Sequence, residues 1–323
     1  LFSLSLALLG AAVANVEPMS CGGGVTKVKA LLNGMKVPRA VRAQTLVCKI
    51  IGTMCTVTAG LPMGKLAPLI HCGAIVGGGL SQGKTVSCKS CPTKDGKPWK
   101  QKISIVGRRD FRNDREKRGF VTMGTAAGVA AAFGAPVGGV LMCLEEGASW
   151  WSPRLNWRMT FCAMASSFCT SLFLSCVSTN GDIELKHVSD VDQPGAFSFG
   201  KFLTDEYSLT EIPLFMILGV IGGLVGAAFN TMFLRLHMYR REKMHDRYWK
   251  IFLEVVVQVL LVSTISFGVP MLIPACHSDV REPNNTFHSD RVQQFTCGNV
   301  NDYSETASMF LLPPTSSVKW IMH

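Results

Sequence analysis

The sequence predicts an all-α, polytopic membrane protein, and three observations carry that prediction. Of its 323 residues 48% are hydrophobic and only 17% charged, and the apolar residues gather into long runs separated by polar loops. The loops differ in the sign of their charge. Several runs are too short to span a bilayer or are interrupted by glycine and proline, which predicts tilted, broken and half-length helices around a protected path.

The first run, Leu1–Val16, resembles a signal peptide in its alanine-rich end, but it has no basic leader and reads better as a spanning helix entered partway along. Thr45–Met63 approaches a full span. Leu69–Leu80 is about half of one, and its helix is expected to begin near Pro68. The run Phe120–Leu144 is interrupted at Gly134-Ala135-Pro136, which predicts two helices meeting at a break. Met159–Val177, Ile212–Leu234 and Ile251–Ala275 complete the set.

The net charge of +10 invites a nucleic-acid reading, which the distribution excludes. Twelve Lys and Arg residues fall between Lys84 and Arg118 and six between Arg235 and Lys250, in loops between apolar runs. Such loops belong on the cytosolic side. The segment from Asn180 to Glu211 carries Asp182, Glu184, Asp190, Asp192, Asp205 and Glu206, and belongs opposite. One crossing further on, residues 276–323 form a lumenal or extracellular loop following the membrane region 1–275. Within it Cys276 and Cys297 frame the sequon Asn284-Asn285-Thr286, with Asn284 the glycan acceptor. A disulfide between the two cysteines suits an oxidising compartment; two independent thiols beside a chance sequon are the other reading. The remaining cysteines lie mostly in apolar runs, as small hydrophobes. The pair Cys88 and Cys91 has no second ligand pair nearby to hold zinc.

Four segments place glycine-rich backbone at the start or break of a helix: Gly22-Gly23-Gly24-Val25, Gly64-Lys65-Leu66-Ala67-Pro68, Gly124 to Gly128 and Gly134 to Gly138. Exposed amides at a helix N-terminus, with the positive end of its dipole, hold anions without a fixed cation. The first two segments fit that use. Gly124 and Gly128, and the later Gly219, Gly222, Gly223 and Gly226, fit close helix packing better. Glu145 and Glu146 end the broken run, either as a solvated helix end or as a proton station. Glu254, inside the last run, suits a local polar contact. No Ser/His/Asp set, nucleotide-binding glycine motif or metal-ligand cluster stands out, so an enzyme, a metal centre or an organic cofactor is not expected.

These segments resemble the CLC family of chloride channels and proton/chloride exchangers. The family's GSGIP loop corresponds to Gly22-Gly-Gly-Val-Thr26, and its GKEGP signature to Gly64-Lys-Leu-Ala-Pro68, followed by the similar LIHCGAIVGGGLSQG. The stretch DREKRGFVTMGTAAGVAAAFGAPVGGVLMCLEEGASWW, from Asp114 to Trp151, resembles the family too. Within the family the lysosomal and late-endosomal branch is nearest, by VKALLNGMKVPRAVR, the LEEGASWW ending and the Cys276–Cys297 loop.

The resemblance implies a fold of two inverted repeats, of which this chain supplies the first and the start of the second. It also implies a homodimer in lipid with an anion path in each subunit, and chloride or a related anion as the bound and transported ion. The second-half anion loop and tyrosine and the CBS domains would lie beyond His323. Both glycine loops must converge to present amides to one ion.

Four departures bear on mechanism. Leu66 stands where the family has a glutamate that competes with the anion and passes protons. Ala67 replaces a glycine, which matters if the backbone there needs a positive φ. Gly23 replaces a serine or proline, and Thr26 a proline. Glu146, aligned with the inner proton glutamate, is retained. With only the inner station, proton coupling should fail and passive conduction should result. An exchanger using another acidic group, and a non-conducting or decayed dimer partner, are the alternatives.

Overall fold

A computed structural model describes residues 2–82, 84–85, 103–104, 113–147, 151–177, 211–244, 248–273, 275–278, 295, 297, 302–312 and 317. Most of the basic loop 84–118, nearly all of the acidic segment 180–211, the pair Cys88 and Cys91, and Asn284 lie outside the described residues. The chain divides into two units, Leu1–Ser198 and Phe199–His323.

The first unit is helical. Helix α1 (Phe2–Val16) is followed by a 3-10 turn at Pro18–Ser20, then by α2 (Val25–Leu32), α3 (Ala43–Thr58), α4 (Leu66–Gln82), α5 (Asp114–Phe133), α6 (Pro136–Met142) and α7 (Pro153–Val177). A two-residue antiparallel pair joins β1 (Lys84–Thr85) to β2 (Ile103–Ser104).

Local chemistry sets most of these bounds. The Asn113 side chain caps α5 by accepting from the Arg115 amide, and Asp114 and Glu116 sit in the first turn, where the helix dipole favours them. The same helix ends at Gly134, which takes the left-handed conformation at φ 68°, and Pro136 opens α6 at a position that needs no amide donor. The expected break is therefore present. Gly60, at φ 77°, follows the end of α3, so that helix stops at Thr58, five residues short of the apolar run.

Helix α4 departs from expectation in length. It runs 17 residues and begins at Leu66, two positions before Pro68. Proline is tolerated there because first-turn amides have no partner within the helix.

The centre of the unit is the crossing of α4 and α5. A Cβ on Gly73 would meet the Gly124 carbonyl, one on Gly77 the Phe120 carbonyl, and one on Gly124 the Gly73 carbonyl. Glycines on both faces let the backbones touch, so Gly124 and Gly128 do pack. Beside this contact, Met123, Ala126, Ala130, Val140, Met159 and Ala163 form a buried cluster linking α5, α6 and α7. Ser166 on α7 donates to the Ala127 carbonyl on α5 at 2.9 Å.

The second unit contains α8 (Ile212–Met244), α9 (Tyr248–Leu272), the pair β3 (Cys276–Ser278) and β4 (Asp302–Ser304), and α10 (Glu305–Leu311). Among the described residues, Ile212–Arg240 and Trp249–Leu272 are long and apolar enough to cross a membrane. Helix α8 continues ten residues past the apolar run, to Met244, because Arg, Glu, Lys and Met are good helix formers even where they cannot be buried. Gly219, Gly222, Gly223 and Gly226 have no neighbour within 4 Å, so the packing expected of them is not found among the described residues. Glu254 pairs with Arg240 at 2.8 Å, a local polar contact.

Candidate functional site: two glycine loops over lysine ammonium groups

Residues 17–24 turn between α1 and α2, and two lysines hold the turn. Lys27 on α2 donates through Nζ to the carbonyls of Met19 and Cys21, both at 2.9 Å. From α3, Lys49 donates to the carbonyls of Ser20, at 2.9 Å, and Gly22. Four consecutive carbonyls thus meet ammonium groups. Lys49 is only 2% exposed, in the middle of an apolar run. A cation at such depth is costly and persists where it is solvated by backbone or used by function.

Gly22 and Gly24 adopt φ of 75° and 92°, conformations costly for other residues. Gly24 is also the N-cap of α2. Gly23 between them has no positive φ.

The second loop arrives from α3 and enters α4 at Leu66. The Lys65 carbonyl accepts the first helical bond, from the Leu69 amide at 3.2 Å. In a helix beginning there the amides of Leu66 and Ala67 have no intrahelical acceptor, and Pro68 has no amide. Leu66 therefore occupies the positive end of α4 with an aliphatic side chain. Ala67 is helical and is not among the positive-φ residues, so its methyl costs nothing in backbone strain.

The two loops meet. A Cβ built on Gly23 would sit 2.8 Å from the Ala67 Cβ. One built on Gly24 would strike the ring of His71, whose Nε2 lies 3.0 Å from the Ala40 carbonyl. Since a carbonyl only accepts, Nε2 carries the proton. His71 is fully buried, and its Nδ1 has no hydrogen-bond partner. It packs between the first loop and the connection from α2 to α3.

Glu146 lies apart from this junction, in a π-helical turn at Cys143–Gly147 that follows α6. Its carboxylate pairs with Lys29 on α2 at 3.0 Å, with both side chains about half exposed. In the second unit Cys276 and Cys297 form a disulfide, with Cα atoms 5.9 Å apart. Lys27, Lys49 and His71 were not among the residues singled out from sequence. The signal was present for two of them, since Lys49 and His71 interrupt otherwise apolar runs.

A polytopic helical membrane protein whose broken helix ends bring glycine loops together over lysine ammonium groups is the class that fold and site define. Comparison with known proteins narrows it: the family described as voltage gated chloride channel matches residues 5–310. The chain belongs to that family. It is 37% identical over 313 residues to H(+)/Cl(-) exchange transporter 7 of Mus musculus, covering 96% of this chain and 36% of the relative. The Bos taurus protein of the same name is 38% identical over 319 residues, covering 98% and 36%. Chloride channel protein D of Dictyostelium discoideum is 37% identical over 257 residues, covering 79% and 23%. The chain thus spans about a third of the length of the exchange transporters it matches.

Proposed function

We propose that this chain is the anion-binding part of a passive chloride conductor. The observation that carries the reading is Leu66 at the first position of α4, beside Ala67, which meets a loop held by two lysines. A leucine cannot compete with an anion for helix-end amides, nor can it carry a proton. Gly22, Gly23, Gly24 and Val25 from one loop, and Gly64, Lys65, Leu66, Ala67 and Pro68 from the other, form the cradle. Backbone amides and the two ammonium groups balance the charge of a dehydrated chloride. The full-length protein works as a homodimer in lipid, in a lysosomal, late-endosomal or vacuolar membrane, with the Cys276–Cys297 disulfide on the lumenal side.

A second reading, a proton/chloride exchanger, draws on the names of the mammalian relatives and on the retained Glu146. Simultaneous chloride and proton fluxes of the full-length protein in vesicles separate the two. Passive conduction gives chloride flux without proton movement, and Glu146→Gln leaves that flux within about twofold. Proton transport that Glu146→Gln abolishes would establish the exchanger. Absence of chloride flux would favour a non-conducting subunit.

A further inference from the structure

We propose that Gly23 and Ala67 form a single-occupancy contact: the junction of the two loops has room for one Cβ, Ala67 supplies it, and residue 67 thereby dictates what residue 23 can be. Gly23 has no positive φ, so its backbone would accept a side chain. Its glycine is explained by space alone. A Cβ there would stand 2.8 Å from the Ala67 Cβ, a methyl fixed to the first turn of α4 that has no rotamer by which to withdraw. The loops would have to part by roughly 0.7 Å to reach ordinary carbon contact. Neither side yields easily. The Lys49 ammonium anchors the first loop at Ser20 and Gly22, and Gly24 is pressed against His71.

The consequence rests on the anion reading. With the Cβ on residue 67, the cradle presents backbone amides and a methyl, and no hydroxyl from residue 23. Moving the Cβ across the contact, by Gly23→Ser together with Ala67→Gly, would place a hydroxyl donor at the junction without changing the number of Cβ atoms it holds.

A double-mutant cycle on the detergent-solubilised full-length protein tests this, by thermal melting in chloride and in gluconate at equal ionic strength. Gly23→Ser alone should lower the melting temperature by roughly 4 °C, as overpacking does, and should cut the chloride-dependent rise at least about twofold. The double variant should recover more than about half of each loss. Additive losses, or a double variant that fails to fold as Gly23→Ser does, would overturn the proposal. A chloride-dependent rise left intact in Gly23→Ser would overturn the positioning of the cradle by this contact. Coupled melting with no chloride-dependent rise in any of the four proteins would leave the contact standing and remove the anion reading on which its consequence rests.

Discussion

Replacing Lys49 with methionine removes a charge and two hydrogen bonds from the floor of the first loop while nearly preserving side-chain volume. The carbonyls of Ser20 and Gly22 would then lose their ammonium donor, in a place where Lys49 itself is 2% exposed. An unsatisfied buried polar group costs about 1–3 kcal/mol, a cost that falls on the carbonyl of buried Ser20, since Gly22 is exposed. Against this stands the relief of a buried ammonium, whose desolvation penalty is several kcal/mol before its bonds are counted. Net of desolvation, a hydrogen bond to a charged group is worth about 1.5–3 kcal/mol, so the expected loss is about 2 kcal/mol, or roughly 6 °C in melting temperature. Chloride protection should fall as well, because the loop loses both its anchor and a positive charge. Lys49→Arg keeps the charge and should retain more chloride protection than Lys49→Met. Melting curves in chloride and gluconate measure both effects. A Lys49→Met protein melting within about 1 °C of the parent would refute the anchoring argument.

Three other outcomes are expected. Leu66→Glu puts a carboxylate at the positive end of α4; at neutral pH it should raise the half-saturating chloride concentration about tenfold, the equivalent of about 1.4 kcal/mol of competition. Protonation removes that competitor, so chloride flux in Leu66→Glu should rise as pH falls through the carboxylate range, and a flux independent of pH would count against the shared site. Gly24→Ala should impair folding more than Gly23→Ala, because it adds left-handed strain to a collision with His71, as comparison of purified folded yields would reveal. Mass lost on glycosidase treatment should disappear in Asn284→Gln, and a parent protein with no glycosidase-sensitive mass would count against the side assigned to that loop.

Much of the fold was legible because local chemistry decided it. The triplet Gly134-Ala135-Pro136 encodes a helix stop followed by a start, and the structure has both. Repeated glycines at four-residue spacing encode a helix contact at Gly124 and Gly128, yet the same signal at Gly219, Gly222, Gly223 and Gly226 finds no contact among the described residues. The pattern marks a surface that can be approached, and only tertiary structure supplies the approaching partner. Helix α8 outruns its apolar run for a different reason. Hydropathy locates where apolar residues stop, at Leu234, whereas good helix formers carry α8 on through Met244. At the site, the glycine loops were visible as patterns, but the lysines beneath them were not, since Lys49 reaches carbonyls 27 and 29 residues away in sequence.

The lysines also explain why a leucine is tolerable at the mouth of α4. Carbonyl dipoles solvate an ammonium without neutralising it, so bonds to Met19, Ser20, Cys21 and Gly22 leave the charges of Lys27 and Lys49 standing. The dipoles of α2 and α4 add positive potential where their N-termini approach each other. In a low-dielectric surrounding that potential favours any negative charge, whether fixed or mobile. A glutamate at position 66 would satisfy it from within the protein, and an anion would then have to displace the carboxylate or wait for its protonation. Leu66 removes the internal competitor and leaves the potential to whatever anion the solution offers. On the passive reading proposed above, occupancy would depend on anion concentration rather than on pH, as in a conductor uncoupled from protons.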